Sequence, residues 1–130
     1  MLTRLELQKI ARARLQDAEA LYQSSRYDSS IYLCGYAIEI GLKCKICGTL
    51  RWKNFPPDGS FHGLQSFKTH SLDVLLKLSG VEDKIKKNFM AQWSIVAKWD
   101  PEARYEKVGS ATKQRAKLMI EATKILLGAL

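Results

Sequence analysis

The apolar positions of this chain recur mostly every three to four residues, which is the period of an α-helix. From Thr3 to about Ser24, Ala11, Leu15, Ala18 and Tyr22 share one face, separated by the good helix formers Gln, Glu, Arg and Ala. Ser24 to Asp28 reads as a short turn, with Asp28 or Ser29 placed to cap the next helix. That second helix is expected from about Ser29 to Leu50. It is apolar on nearly all sides, through Ile31, Leu33, Cys34, Ala37, Ile38, Ile40, Leu42, Ile46 and Cys47. Such a helix belongs in the middle of a domain. Gly35 and Gly41 each weaken it by about 1 kcal/mol relative to Ala, and close approach of a neighbouring helix would explain both.

Arg51 to about Thr69 reads as a long loop, with a turn at Pro56-Pro57-Asp58-Gly59 and with Phe55, Phe61 and Phe67 to pack it down. A third helix is expected near His70 to Leu78, capped by Thr69 and stopped by Gly80. A fourth should run from about Val81 to Lys98, with Ile85, Phe89, Trp93 and Val96 on one face, and end at Asp100-Pro101. After an irregular stretch, the last helix is expected over Ser110 to Leu127, with Leu118, Ala122, Ile125 and Ala129 at helical spacing. No repeat or low-complexity tract divides the chain. The pattern predicts a single domain over residues 1–130, all-α, an up-and-down antiparallel bundle of four to five helices.

Composition narrows the reading. A chain of 130 residues, 46% hydrophobic and 26% charged, can bury a core without staples. Nothing approaches the ~18 uninterrupted apolar residues of a membrane span, and the amphipathic N-terminus lacks the apolar core of a signal peptide. A cytoplasmic protein is expected, with no membrane association. The net charge of +8 favours a polyanionic partner, although the basic residues are spread along the chain in the manner of solvated helix faces. Cys34, Cys44 and Cys47 are an odd count, which in a chain expected to be cytoplasmic argues against a disulfide framework. Cys44 and Cys47 lie late in a helix, where nothing lowers a thiol pKa. Zinc would need His62 and His70, whose spacing does not suit it. No metal site and no cofactor are expected, and reduced, largely buried thiols are.

Candidate chemistry sits on the second helix. Tyr32, Tyr36, Glu39 and Lys43 are spaced by four, three and four and share one face. One reading is structural: Glu39 pairs with Lys43 at i,i+4 and the tyrosines pack with their hydroxyls outward. The other is one wall of a polar cleft. Lys68-Thr69-His70 opens the third helix, where backbone N–H groups and His70 suit an anion; a half-exposed His70 at a capped helix start is the plainer alternative. Trp99, Arg104 and Tyr105 bring an indole, a guanidinium and a phenol into one loop, suited to phosphates and bases or, equally, to stapling the loop to the bundle. No nucleotide-binding glycine motif, nucleophile elbow or triad pattern is present.

Three stretches together carry a family resemblance. Ala11-Arg12-Ala13-Arg14-Leu15-Gln16-Asp17-Ala18 is followed by Arg26-Tyr27-Asp28-Ser29-Ser30-Ile31-Tyr32-Leu33-Cys34-Gly35-Tyr36-Ala37-Ile38-Glu39, then Leu42-Lys43. Phe67 and His70, with Leu72, Leu75 and Leu76, come next, and then Trp99-Asp100-Pro101-Glu102-Ala103-Arg104-Tyr105. In this order they resemble HEPN domains, the helical domains found with minimal nucleotidyltransferases in prokaryotes. The resemblance spans most of the chain. It implies a helical bundle, often a homodimer, associated with nucleotide or RNA function and commonly with toxin–antitoxin or defence loci. HEPN ribonucleases carry an Arg followed about four to six residues later by a His on a late helix; the last helix here has no histidine. The resemblance therefore implies a non-catalytic subunit that binds nucleotide or RNA, or docks on a nucleotidyltransferase partner. The alternative is a metal-independent endoribonuclease with a divergent site, His70 acting as acid/base and Arg104 or Lys43 stabilising phosphorane charge. In either case the expected site has Tyr32, Tyr36, Glu39 and Lys43 as one wall, with the long loop and the segment containing Trp99 and Tyr105 bringing His70 and Arg104 to its mouth.

Overall fold

A computed structural model describes residues 2–57, 63–102 and 106–130. Within them the chain forms an all-α helical bundle with one minute sheet. Helix α1 spans Arg4–Gln23 and opens on a reciprocal cap: Glu6 N–H donates to Thr3 Oγ1 at 3.1 Å, and Thr3 N–H donates to Glu6 Oε2 at 2.7 Å. The Thr3 backbone donor holds the Glu6 carboxyl below its ordinary pKa. Strand β1 (Leu2–Thr3) pairs antiparallel with β2 (Asn54–Phe55), tying the start of the chain to the long connection. Two residues per strand leave no alternation for the sequence to show.

Helix α2, Tyr27–Leu50, begins two residues before the expected start. Neither Asp28 nor Ser29 caps it; the cap position is Arg26, with no side-chain bond. Asp28 instead reaches across the fold, accepting N–H bonds from Gly109 at 2.5 Å and Ala111 at 2.8 Å. These backbone donors hold its carboxyl below the ordinary value of 3.8. Ser30 is fully buried and donates to Ala18 O at 2.7 Å. Cys44 Sγ meets Arg4 O at 3.5 Å, so α1 and α2 run antiparallel.

The remaining helices are α3 (Leu72–Ser79), α4 (Glu82–Asn88), α5 (Met90–Val96) and α6 (Lys113–Ala129). Helix α3 starts later than expected because Ser71 is its cap, accepting from Val74 N–H, while Thr69 Oγ1 accepts from Ser71 N–H. Gly80 ends it in the left-handed region at φ 81°. His70 touches α2 at Glu39, and Thr49 Oγ1 donates to Ser79 O at 2.6 Å, so α3 runs in the same sense as α2. The long connection is what carries the chain back to permit this. Within it, Trp52 packs tilted against Phe55 and edge to face on Phe67, with ring centroids 6.0 and 4.9 Å apart; Phe61 lies outside the described residues.

The single fourth helix expected from Val81 to Lys98 is two. The break falls at Phe89, whose φ of −132° leaves the helical region. The hydrogen bonds nonetheless run through it, from Phe89 N–H to Ile85 O and from Trp93 N–H to Phe89 O. Ile85, Trp93 and Val96 are buried as expected. On α6 the expected face is displaced: Leu118 and Ile125 are exposed, and Ala116, Met119, Ile120, Thr123 and Leu126 join Ala122 inside. Helix α2 is the centre of the core, covered within the chain by α1, α3 and α6 and by Trp99. No helix among the described residues is long and apolar enough to cross a membrane.

Candidate functional site

Glu39 is the organising residue. It projects from the middle of α2 and is only 4% exposed. A buried carboxylate must be paired and hydrogen-bonded to remain charged, and both of its oxygens are occupied. Lys43, one turn on, donates to Oε2 at 3.1 Å. His70, 31 positions away in sequence, meets Oε1 through Nδ1 at 2.8 Å. The Lys43 ammonium also lies 5.6 Å from the centroid of the buried Phe55 ring.

The His70 contact fixes a tautomer. An ionised carboxylate can only accept, so Nδ1 carries the proton. Nε2 on the far side of the ring is then left to other partners. The His70 side chain is 62% exposed, and it lines a cleft of about 520 Å³ together with Tyr36, Ser71, Asp73, Trp99, Asp100 and Glu102. This histidine precedes α3 by two residues and is held from α2. The expectation that it would serve a helix N-terminus is thereby replaced.

Tyr36 lines this cleft, and Tyr32, which does not, joins it in an aromatic cluster. Tyr32 Oη donates to Tyr36 Oη at 3.3 Å, and the rings meet edge to face at 5.1 Å. Trp99 adds contacts of 5.0 Å to Tyr36 and 6.4 Å to Tyr32. Trp99 is placed by Gly35: a Cβ on Gly35 would overlap indole Cε2, Cδ2 and Nε1. The close approach anticipated for Gly35 is therefore that of a tryptophan ring, not a helix. The Trp99 Nε1 proton is buried without an acceptor among the described residues.

Of the expected site residues, the structure joins Glu39, Lys43 and His70 in one hydrogen-bonded group and Tyr32, Tyr36 and Trp99 in one aromatic group. Arg104 and Tyr105 lie outside the described residues. No family model matches the chain, and no curated protein or solved structure matches it.

The sequence reading missed the acidic character of the cleft. Asp73, Asp100 and Glu102 line it, and Asp100 Oδ1 accepts from Glu102 N–H at 2.6 Å. Asp100 and Glu102 belong to the Trp99–Tyr105 segment, but only the fold shows that they share a cavity with His70. Asp73 carried no signal, being an ordinary first-turn acid. No group of three or more His, Cys, Asp or Glu among the described residues is arranged to hold a metal ion. Burial pushes the Cys34 thiol up to about 12 and raises Cys47 as well, which makes both poor nucleophiles.

Proposed function

We propose that this chain is a nucleotide- or RNA-binding module, in keeping with its resemblance to HEPN domains, and that a base rather than a phosphate enters the His70–Trp99 cleft. The observation that carries this reading is the His70 ring, locked to the bundle by buried Glu39 and presented to a cavity walled by Tyr36, Trp99 and three carboxylates. A rigidly held histidine with a free ring nitrogen is a recognition group. Aromatic rings suit the faces of a base. Carboxylates repel phosphate but accept from exocyclic amines, as Asp and Glu do from cytosine N4. The phosphates then lie outside the cleft, where the net charge of +8 favours them.

Titration of the full chain with cytidine, guanosine and uridine monophosphates and with inorganic phosphate, followed by NMR, tests this. Cytidine or guanosine monophosphate should shift the Trp99 indole N–H and the His70 ring, uridine monophosphate should do so less, and His70→Ala should abolish the preference. Inorganic phosphate reproducing the same shifts, or no nucleotide moving either group, would overturn the reading.

The Glu39–His70 pair also favours a second reading, since a histidine oriented by a carboxylate is the arrangement of a general base. A ribonuclease additionally needs positive charge for the phosphorane. Lys43 is engaged by Glu39 and is not among the residues lining the cleft. Among the described residues no Lys or Arg lines it either, so binding is the better supported reading. RNA cleavage by the purified chain that disappears in His70→Ala would reverse that order.

A further inference from the structure

On another side of α2, helices α1, α2 and α6 enclose a groove of about 370 Å³ that the cleft does not use. Its apolar floor comes from Leu5, Gly41, Leu127 and Leu130. Gly41 lets Leu127 pack close against α2 in this floor: a Cβ there would stand 2.6 Å from Leu127 Cδ2. Leu5 is 59% exposed beside it, a large apolar side chain with no cover in the chain. The rim carries Arg4, Arg12 and Lys45 and no acidic residue. None of these three cations has a carboxylate within ion-pair distance among the described residues, although the surface offers Asp17, Glu19 and Glu82 to other cations. The Arg4 guanidinium is laid against Gly48, where a Cβ would come within 2.9 Å of it.

We infer that this groove is a docking surface for an acidic amphipathic helix of a partner protein. An apolar floor with a one-sign rim complements a segment that is apolar on one face and acidic on its flanks. The groove runs between packed helices, so its backbone groups are satisfied internally and offer no edge to an added strand. A helix fits by setting its ridge between the two flanking helices. A second copy of this chain is a poor complement, because it brings the same cationic rim and a net charge of +8.

The test uses the full chain and three synthetic peptides of about 18 residues, roughly five helical turns. One has Leu at i, i+3, i+4 and i+7 with Glu elsewhere; one replaces Glu by Lys; one replaces Leu by Ala. The acidic Leu peptide should shift the methyl resonances of Leu5, Leu127 and Leu130, and the other two should not. Arg12→Glu combined with Lys45→Glu should weaken binding by about tenfold or more, as expected for reversing one exposed and one half-buried charge on the rim. Lys117→Glu, an exposed change on α6 that does not line this groove, should leave it within about twofold. Amide spectra of each variant show that it is folded, and Leu5→Asp gives a second route to the same loss with the rim cations left in place. Equal binding of the acidic and basic peptides, shifts elsewhere on the surface, or no shift at millimolar peptide would overturn the inference. So would RNA or anionic phospholipid vesicles occupying the groove more tightly than the acidic peptide.

Discussion

Replacing Glu39 by Gln keeps the shape of the side chain and removes its charge, which isolates what the buried carboxylate does. Two bonds are affected. Lys43 is 17% exposed in its side chain and donates to Oε2; a hydrogen bond to a charged group is worth about 1.5–3 kcal/mol. The amide oxygen can still accept from that ammonium, so only the charge-dependent part is lost. The His70 bond contributes less, because that ring is 62% exposed and well screened. The expected loss of stability is about 1–2 kcal/mol, against about 3–5 kcal/mol when a buried ion pair loses one partner outright, as in Glu39→Ala. A more diagnostic change occurs at the histidine. With its oxygen on Lys43, the introduced amide turns an NH₂ donor toward Nδ1, which must then become the acceptor and hand its proton to Nε2. Urea denaturation measures the first effect. Ring ¹⁵N shifts measure the second, and with only two histidines in the chain, His62 and His70, assignment is simple. A Glu39→Gln protein with unchanged stability and an unchanged His70 tautomer would refute the pairing, and with it the idea that Glu39 presents the histidine.

Gly35→Ala should lose about 1–3 kcal/mol, the range for overpacking a filled core, because the new Cβ overlaps a rigid indole; native tryptophan fluorescence should shift in the same variant. Thiol titration of the native chain near pH 8 should count one reactive cysteine, the half-buried Cys44, and three in urea, since burial raises both Cys34 and Cys47. Asp28 has its folded pKa depressed below 3.8, so its contribution is present above that pH and is lost as pH falls below it. Asp28→Asn should therefore flatten the acid side of the stability–pH curve and leave the segment before α6 easier to cleave at Gly109, with a wild-type-like acid limb counting against the anchor.

What the sequence disclosed and what it withheld divide by range. Local signals were readable: Gly80 as a stop, the i,i+4 pair of Glu39 and Lys43, and the all-round apolar character of α2. Contacts set by the fold were not. His70 meets Glu39 across 31 positions and Asp28 meets Gly109 across 81, and no periodicity encodes either. The displaced face of α6 has a different cause. Leu118, Met119, Ile120, Ile125, Leu126 and Leu127 supply apolar side chains on two adjoining stripes, and only the position of α2 decides which stripe is covered. The break at Phe89 is invisible for a related reason, since the segment is helix-forming on both sides of it and its hydrogen bonds continue through the kink. Within the cleft, the aromatic and basic residues drew notice as candidate ligand groups, while Asp73, Asp100 and Glu102 looked like ordinary surface acids until the fold gathered them.

Helix α2 links these features physically. Residues two apart on a helix point about 200° apart, so Glu39 and Gly41 occupy nearly opposite sides of one buried element. On the first side a carboxylate substitutes for solvent and fixes two charged or polar partners; on the second a missing side chain lets Leu127 pack close beside the groove. A helix at the centre of a close-packed core transmits displacement as a rigid body. A ligand that wedges the groove open at Gly41 would move Glu39 with it, and His70 follows Glu39 through a 2.8 Å bond. Coupling of this kind must be reciprocal. A groove-binding peptide that alters the nucleotide affinity read at His70 should have its own affinity altered by the same factor when nucleotide is present. Independent binding at the two surfaces would show that α2 holds its position whichever side is occupied.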